Sequence, residues 1–148
     1  MKNTVVLLWI SLAIMLLGCS SADNRQAEVA ERGRHVMPFD LEQTMHHFQP
    51  KPDGGVQKVV VKEKANQLQI AKTRQHLQHE ANRFQQGDFS DPARIHGGDM
   101  PGLRALAANA DDVEIRYSDL PRGGQIRYRS DEAGLVQAIH RWFKAQVQ

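Results

Sequence analysis

Seven histidines are the side chains of this chain best suited to chemistry: His35, His46, His47, His76, His79, His96 and His140. Neutral imidazole ligates copper and zinc, and a methionine thioether favours Cu(I). The histidines form no contiguous tract and no HExxH pair, so a metal site would have to be assembled from separate elements. His76 and Glu80 stand at i and i+4 of what reads as a long helix, where two side chains on one flank either grip one ion or hydrogen-bond each other. His79 falls on the opposite side, toward water. From Gly87 to Gly102 the chain reads GDFSDPARIHGGDMPG, which adds Asp88, Asp91, His96, Asp99 and Met100. A loop of that length is frequently functional.

A pocket built from His76, Glu80 and His96, with Met100 or His140 as further ligands, is the sharp expectation, and copper or zinc is its cofactor. Each residue also has a purely structural reading. His76 and Glu80 can hydrogen-bond at the core boundary. His140 can pack beside Trp142 with one ring nitrogen satisfied, and the Asp and Gly residues of the loop can cap and shape turns. Ligand number separates binding from catalysis, because four protein ligands close a site and three in a cleft leave a position for water. The second arrangement would make a metal-assisted hydrolase.

His46 and His47 are adjacent in a strand pattern and point to opposite faces, so one of them at most joins an interior site. Which one is left open, because a bulge shifts parity. Arg116, Arg127 and Arg129 project from the polar side of a second hairpin, with Arg122 in its turn. They offer a surface for an anionic headgroup or protein partner, or a solvated face relieved by Glu114. The sequence contains no nucleophile elbow, phosphate-binding glycine loop or dinucleotide fingerprint, and no Ser/His/Asp order of known type. A non-catalytic role is therefore expected.

The elements that must position these residues follow from periodicity and turn chemistry. Val36 to Phe48 alternates in part through Met37, Phe39, Leu41 and Met45, and Val56 to Lys62 is rich in β-branched residues; with QPKPDGG between them they read as a hairpin. Asn66 to Gln86 carries Ile70, Leu77, Ala81 and Phe84 on one stripe, with Gly87 as a stop. A short helix is expected after Pro101, through Leu103 and Leu106. Val113, Ile115 and Tyr117, then Ile126 and Tyr128, alternate with polar residues and read as a second hairpin joined by DLPRGG. Ser130 or Asp131 caps a final helix with Leu135, Ile139, Trp142 and Phe143 on its buried face. The resulting order is ββα, a short helix, then ββα. The expected fold is α+β, a four-stranded antiparallel sheet with two main helices on one face.

The chain opens with Lys2, an apolar run from Val5 to Leu17 and the ending Leu16-Leu17-Gly18-Cys19. About thirteen apolar residues rise roughly 20 Å as a helix, short of the ~30 Å hydrocarbon core, so the run reads as a signal peptide over residues 1–18. Its ending resembles a bacterial lipobox. In that class of signals the cysteine is lipidated and becomes the first residue of the mature chain, which would anchor this protein to a membrane through Cys19. Each buried CH₂ contributes ~0.8 kcal/mol, so two or more acyl chains give stable anchoring. By the same resemblance, Ser20 in place of an aspartate points to the outer membrane, facing the periplasm.

Cys19 is the only cysteine, so the expected mature chain has neither a disulfide nor a Cys metal ligand. Residues 19–34 are polar and rich in small side chains, and read as a lipidated flexible tether, with room for a short helix around Gln26 to Arg32. Residues 35–148 read as a single domain. With Lys2 removed, the 19 basic residues become 18 against 17 acidic. That near-neutral balance argues against a nucleic-acid partner.

The runs MPFDLEQTMHHF, RQHLQHEANRFQQGDFSDPARIHGGDMPGL and QAIHRWFKAQ resemble a family of small bacterial proteins of unknown function. Some members carry the label aspartate carbamoyltransferase, which implies carbamoyl transfer to aspartate in the cytoplasm. This chain is too short for that two-domain enzyme, lacks its Ser-Thr-Arg-Thr-Arg phosphate loop and begins with an export pattern, so no site residue carries over. The expectation is a tethered envelope module that binds an unidentified protein or a metal ion.

Overall fold

Two tight hairpins and two amphipathic helices between and after them build the frame. The structure is a computed structural model that describes residues 20–146; the leader and Cys19 lie outside the described residues. Strand β1 (Thr44–Lys51) pairs antiparallel with β2 (Gly54–Val61), Lys51 facing Gly54 across a Pro52-Asp53 turn. Strands β3 (Glu114–Leu120) and β4 (Gly123–Arg129) repeat the pattern across Pro121-Arg122. The second strands of the hairpins pair with each other, giving one antiparallel sheet in the order β1-β2-β4-β3. Pro50 falls within the edge strand β1, where its missing N–H leaves no ladder bond unmade.

Helix α2 (Gln67–Gln85) starts where Asn66 Oδ1 accepts a hydrogen bond from the Gln69 N–H at 3.2 Å. It stops at Gly87, whose φ of 78° lets its N–H reach the Phe84 carbonyl at 3.0 Å. Its buried face is Ile70, Thr73, Leu77, Glu80, Ala81 and Phe84. Helix α5 (Ala133–Gln146) buries Leu135, Ala138, Ile139, Trp142 and Phe143. Ser130 prepares its start: the hydroxyl accepts from the Glu132 N–H at 3.1 Å and donates to the Asp112 carbonyl at 2.8 Å.

Helix α2 packs over β3 and β4, and α5 over β1 and β2, on the same face of the sheet. The expected α+β architecture is therefore the observed one. Gly55 makes room for α5, since a side chain there would run into the Phe143 ring. Rings dominate the centre: Phe84 stacks on Phe89 at 4.5 Å, and Trp142 stands perpendicular to Phe84, Phe89 and Tyr128.

Three expectations are corrected. The segment from Ser20, read as a flexible tether, is helical as α1 (Ser20–Val36). It lies on α3 (Ser90–His96), where Arg32 Nε donates to the Ile95 carbonyl at 2.7 Å. Helix α3 occupies the stretch expected to be irregular between Gly87 and Gly102. Strand β1 starts at Thr44, after a 3₁₀ turn at Leu41–Gln43, instead of near Val36. Thr44 and His46 are therefore on the buried side and Met45 is 37% exposed, the reverse of the parity read from the sequence. The short helix after Pro101 is present as α4 (Leu103–Ala108).

Candidate functional site

Helix α1 roofs a cavity of about 250 Å³ whose walls come from α1, β1, β2, α2, α3 and α5. Val29, Ala30 and Gly33 of α1 face it from above; Phe39, Phe48, Leu77, Phe84 and Trp142 supply much of the apolar wall. The space is on the order of eight water volumes at ~30 Å³ each, and apolar cavities of ~150 Å³ already take up a benzene-sized molecule. The polar lining is concentrated in His46, Gln57, His76, Glu80, Asp91 and His96.

Each polar side chain reaches the cavity for a reason. His46 faces inward because it pairs with Val59 across β1 and β2, a position whose side chains lie beneath the helices. His76 and Glu80 are one helical turn apart on the flank of α2, with Leu77 buried beside them. Asp91 sits in the first turn of α3 and His96 in its last. Phe39 separates two of the imidazoles, its ring centre 5.9 Å from His46 and 5.5 Å from His76.

Glu80 is only 4% exposed. Its Oε1 accepts from Arg83 Nη1 at 3.0 Å, and the same guanidinium nitrogen donates to Asp91 Oδ2 at 2.6 Å. Arg83 also reaches Asp88 through Nε at 2.9 Å and Ser90 Oγ through Nη2 at 2.5 Å, so its donors are committed. Burial, reinforced by the neighbouring Asp91 charge and only partly offset by Arg83, raises Glu80 to a pKa of about 7.

The imidazoles shift the other way. Burial, with His76 and His47 adding repulsion, lowers His46 to about 4. Burial likewise lowers His76 to about 4 against an opposing pull from Asp91. His96 is lowered by burial and by Arg32 and Arg25. All three rings are neutral at pH 7. Among the described residues, the histidine rings that do hydrogen-bond are those of His35 and His140. The lining imidazoles thus keep ring nitrogens for a guest.

The sequence-derived candidates divide. His76, Glu80 and His96 do border one cavity. Met100 is buried and lies in an adjoining hollow with His96, Gly97 and Gly98. His140 is elsewhere, with Nε2 2.9 Å from both the Lys51 and the Gly54 carbonyl oxygens. Carbonyls only accept, so that nitrogen carries a proton and is unavailable as a ligand. His140 holds the β1–β2 turn to α5, which is its structural reading. His46 and Asp91 are the residues that metal reasoning from the sequence did not group with this pocket. Among the described residues, no three His, Asp or Glu side chains converge tightly enough to hold one metal ion.

The arginines lie on the opposite face of the sheet. Arg116 and Arg127 are directly opposed in register, a repulsive pairing that nearby acids relieve. Arg116 pairs with Glu114, Arg127 with Asp53 at 2.5 Å, and Arg129 with Asp131 at 2.8 Å and Asp53 at 3.4 Å. Arg122 Nη1 donates to the Lys62 carbonyl at 2.9 Å.

No protein family matches the chain, no curated protein matches it, and no solved structure matches it. No helix among the described residues is long and apolar enough to cross a membrane.

Proposed function

We propose that this chain is a lipid-anchored module of the cell envelope, held at the membrane through Cys19, and that its work is binding rather than catalysis. The leader pattern and the Leu-Leu-Gly-Cys ending support the anchor. The cavity beneath α1 supports binding, and it is the observation that carries the reading: a largely apolar chamber with a few polar groups in its wall is the usual form of a small-molecule site. The described part of the roof helix runs from Ser20, the residue next to Cys19 in the chain, so the site would sit near the bilayer.

Trp142 lines the cavity and reports on it. In the mature chain, which would start at Cys19, it is the single tryptophan. Titrating the lipidated mature chain, reconstituted in nanodiscs, with 2-phenylethanol should change Trp142 emission saturably. Ala30→Phe puts a ring into the chamber and should abolish the change. An emission that never saturates, or that responds equally in Ala30→Phe, overturns the reading.

A second reading places copper or zinc in the same chamber. It is supported by His46, His76, His96, Glu80 and Asp91 all bordering one space. It requires side chains to move inward, given that no three of them converge. Stoichiometric zinc or copper binding that is lost in a His76→Ala/His96→Ala variant would favour it.

A further inference from the structure

The proposal that the chamber binds a small molecule leaves open the charge of that molecule, and the lining restricts it. Among the described residues, no lysine or arginine borders the chamber. The guanidinium that contacts the lining acids, Arg83, is held by Glu80, Asp91, Asp88 and Ser90. A second, Arg94, leans on Asp91 from 3.4 Å. Three carboxyl groups therefore face two guanidiniums, which leaves the cluster short of positive charge when all three are ionised.

The side of this cluster that meets the chamber is the acidic one, since Glu80 and Asp91 line it and the arginines do not. At this end of the chamber an anionic guest would meet two carboxyl groups, while the positive charge of Arg25 and Arg32 acts at the His96 end. A cationic one would meet carboxylate oxygens, neutral imidazole nitrogens and the aromatic rings of Phe39, Phe48 and Phe84, whose faces attract positive charge. A bare metal ion fits poorly in a space of about 250 Å³ without converging ligands.

Resting on the binding role argued above, we propose that the guest is an organic monocation, an apolar body bearing one ammonium or guanidinium group that seats against Glu80 and Asp91. The apolar body lies between the roof residues Val29 and Ala30 and the aromatic wall. The charged head completes the charge balance of the Glu80–Asp91–Arg83 cluster. Binding then requires Glu80 as a carboxylate and displaces its proton.

The groups that face Glu80 or the chamber from each packed element set the pH response. They are His46 from β1, His76 and Arg83 from α2, Asp91, Arg94 and His96 from α3, and the buried Tyr128 hydroxyl from β4. Arg25 and Arg32 of α1 act on His96 from above. Of these, Glu80 titrates at about 7 and His46 and His76 near 4, while His96, lowered from its ordinary 6.5, gains positive charge only as the pH falls below neutrality and so acts in the same direction. A guest amine of lysine-like pKa, about 10.4, stays protonated throughout. Affinity for the cation should therefore rise with pH through about 7.

The test compares three probes of similar size: 2-phenylethylamine, 2-phenylethanol and phenylacetate. Each is titrated into the lipidated mature chain, in nanodiscs of zwitterionic lipid, at pH 7.5 and at pH 5.5, with empty nanodiscs as reference. At the higher pH the amine should bind about tenfold more tightly than the alcohol, the gain of one charge-assisted hydrogen bond, and phenylacetate should bind most weakly. The preference should shrink at pH 5.5. Glu80→Gln should abolish it while leaving the affinity for the alcohol in place; Asp91→Asn, at the less deeply buried of the two lining acids, should diminish it and serves if Glu80→Gln does not fold. Equal affinity for amine and alcohol, tighter binding of phenylacetate, or a preference intact in the variants overturns this inference alone. Failure of all three probes to bind, or zinc or copper binding that none of them disturbs, overturns it together with the small-molecule reading.

Discussion

Glu80 and Asp91 share a single guanidinium nitrogen, Arg83 Nη1, which lies 3.0 Å from one carboxylate and 2.6 Å from the other. One residue comes from α2 and the other from α3, so the contact ties the two helices together at the wall of the chamber. It also makes Glu80 the group with the strongest claim on proton-linked behaviour, since burial and Asp91 both oppose its charge.

Stability should therefore depend on pH in a particular way. Folded Glu80 keeps its proton up to about 7 against an ordinary 4.5. The folded chain binds the extra proton in that window, and stability falls as pH rises through it. His46 and His76 lose their protons at about 4 in the folded chain against 6.5 ordinarily. There the unfolded chain binds the extra protons, and stability falls as pH drops through that window. Two histidines outweigh one carboxyl up to about 6.5, and above that pH the remaining rise from the histidines and the fall from Glu80 nearly cancel, so stability should climb to about 6.5 and then level off. Urea denaturation should show the parent almost equally stable at pH 6 and pH 8, and Glu80→Gln more stable at pH 8 than at pH 6 by on the order of 1 kcal/mol. The same flat profile in Glu80→Gln contradicts the assignment.

Gly102 precedes α4 with a φ of 84°, and a side chain on it would strike the Ala138 carbonyl of α5. Gly102→Ala should lower stability by about 3 kcal/mol or more, combining left-handed strain with overpacking. Thermal melting against Gly98→Ala, where a side chain meets nothing within 4 Å, isolates the effect.

His140→Ala removes the donor that serves the Lys51 and Gly54 carbonyls. It should destabilise the chain by about 1–2 kcal/mol. Because His140 is not among the chamber's lining residues, affinity for 2-phenylethanol should stay within error of the parent. A loss of binding beyond what unfolding explains would return His140 to the site.

Arg32→Met removes the hydrogen bond to the Ile95 carbonyl while keeping a long apolar stem over α3. Amide exchange in α1 should quicken several-fold, with α2 and α5 unaffected, since local opening follows local contacts. Equal protection of α1 in both proteins would show that Arg32 does not hold the roof.

The frame was legible because its signals are local and strong. The α2 stripe of Ile70, Leu77, Ala81 and Phe84, and the α5 face of Leu135, Ile139, Trp142 and Phe143, are buried as their periodicity requires. The alternation of Met37, Phe39, Leu41 and Met45 misled because it runs across a bend, a 3₁₀ turn and a strand. Once β1 is started at Thr44, His46 goes inward and His47 out.

The full length of α1, of which the sequence suggested at most a short helix around Gln26 to Arg32, and the whole of α3 escaped for a different reason. Neither carries a long apolar stripe: α3 has Ile95 as its one buried residue, and α1 presents Val29, Ala30 and Gly33 to the chamber amid charged neighbours. They rest on each other, a dependence that a window of sequence does not contain. Asp91 and His46 belong to the site through that same packing. Pairing His76 with Glu80 was readable from their spacing alone, and His96 was found by its chemistry.

The most direct test of a ligand chamber beneath α1 is a crystal structure of the protein soaked with 2-(4-bromophenyl)ethylamine, read through the anomalous signal of bromine. The account predicts one bromine peak among Phe39, Phe84 and Val29, with the amine within hydrogen-bond distance of Glu80 or Asp91. A fully occupied bromine elsewhere with the chamber empty, or no bound bromine at concentrations well above the solution affinity, would contradict it.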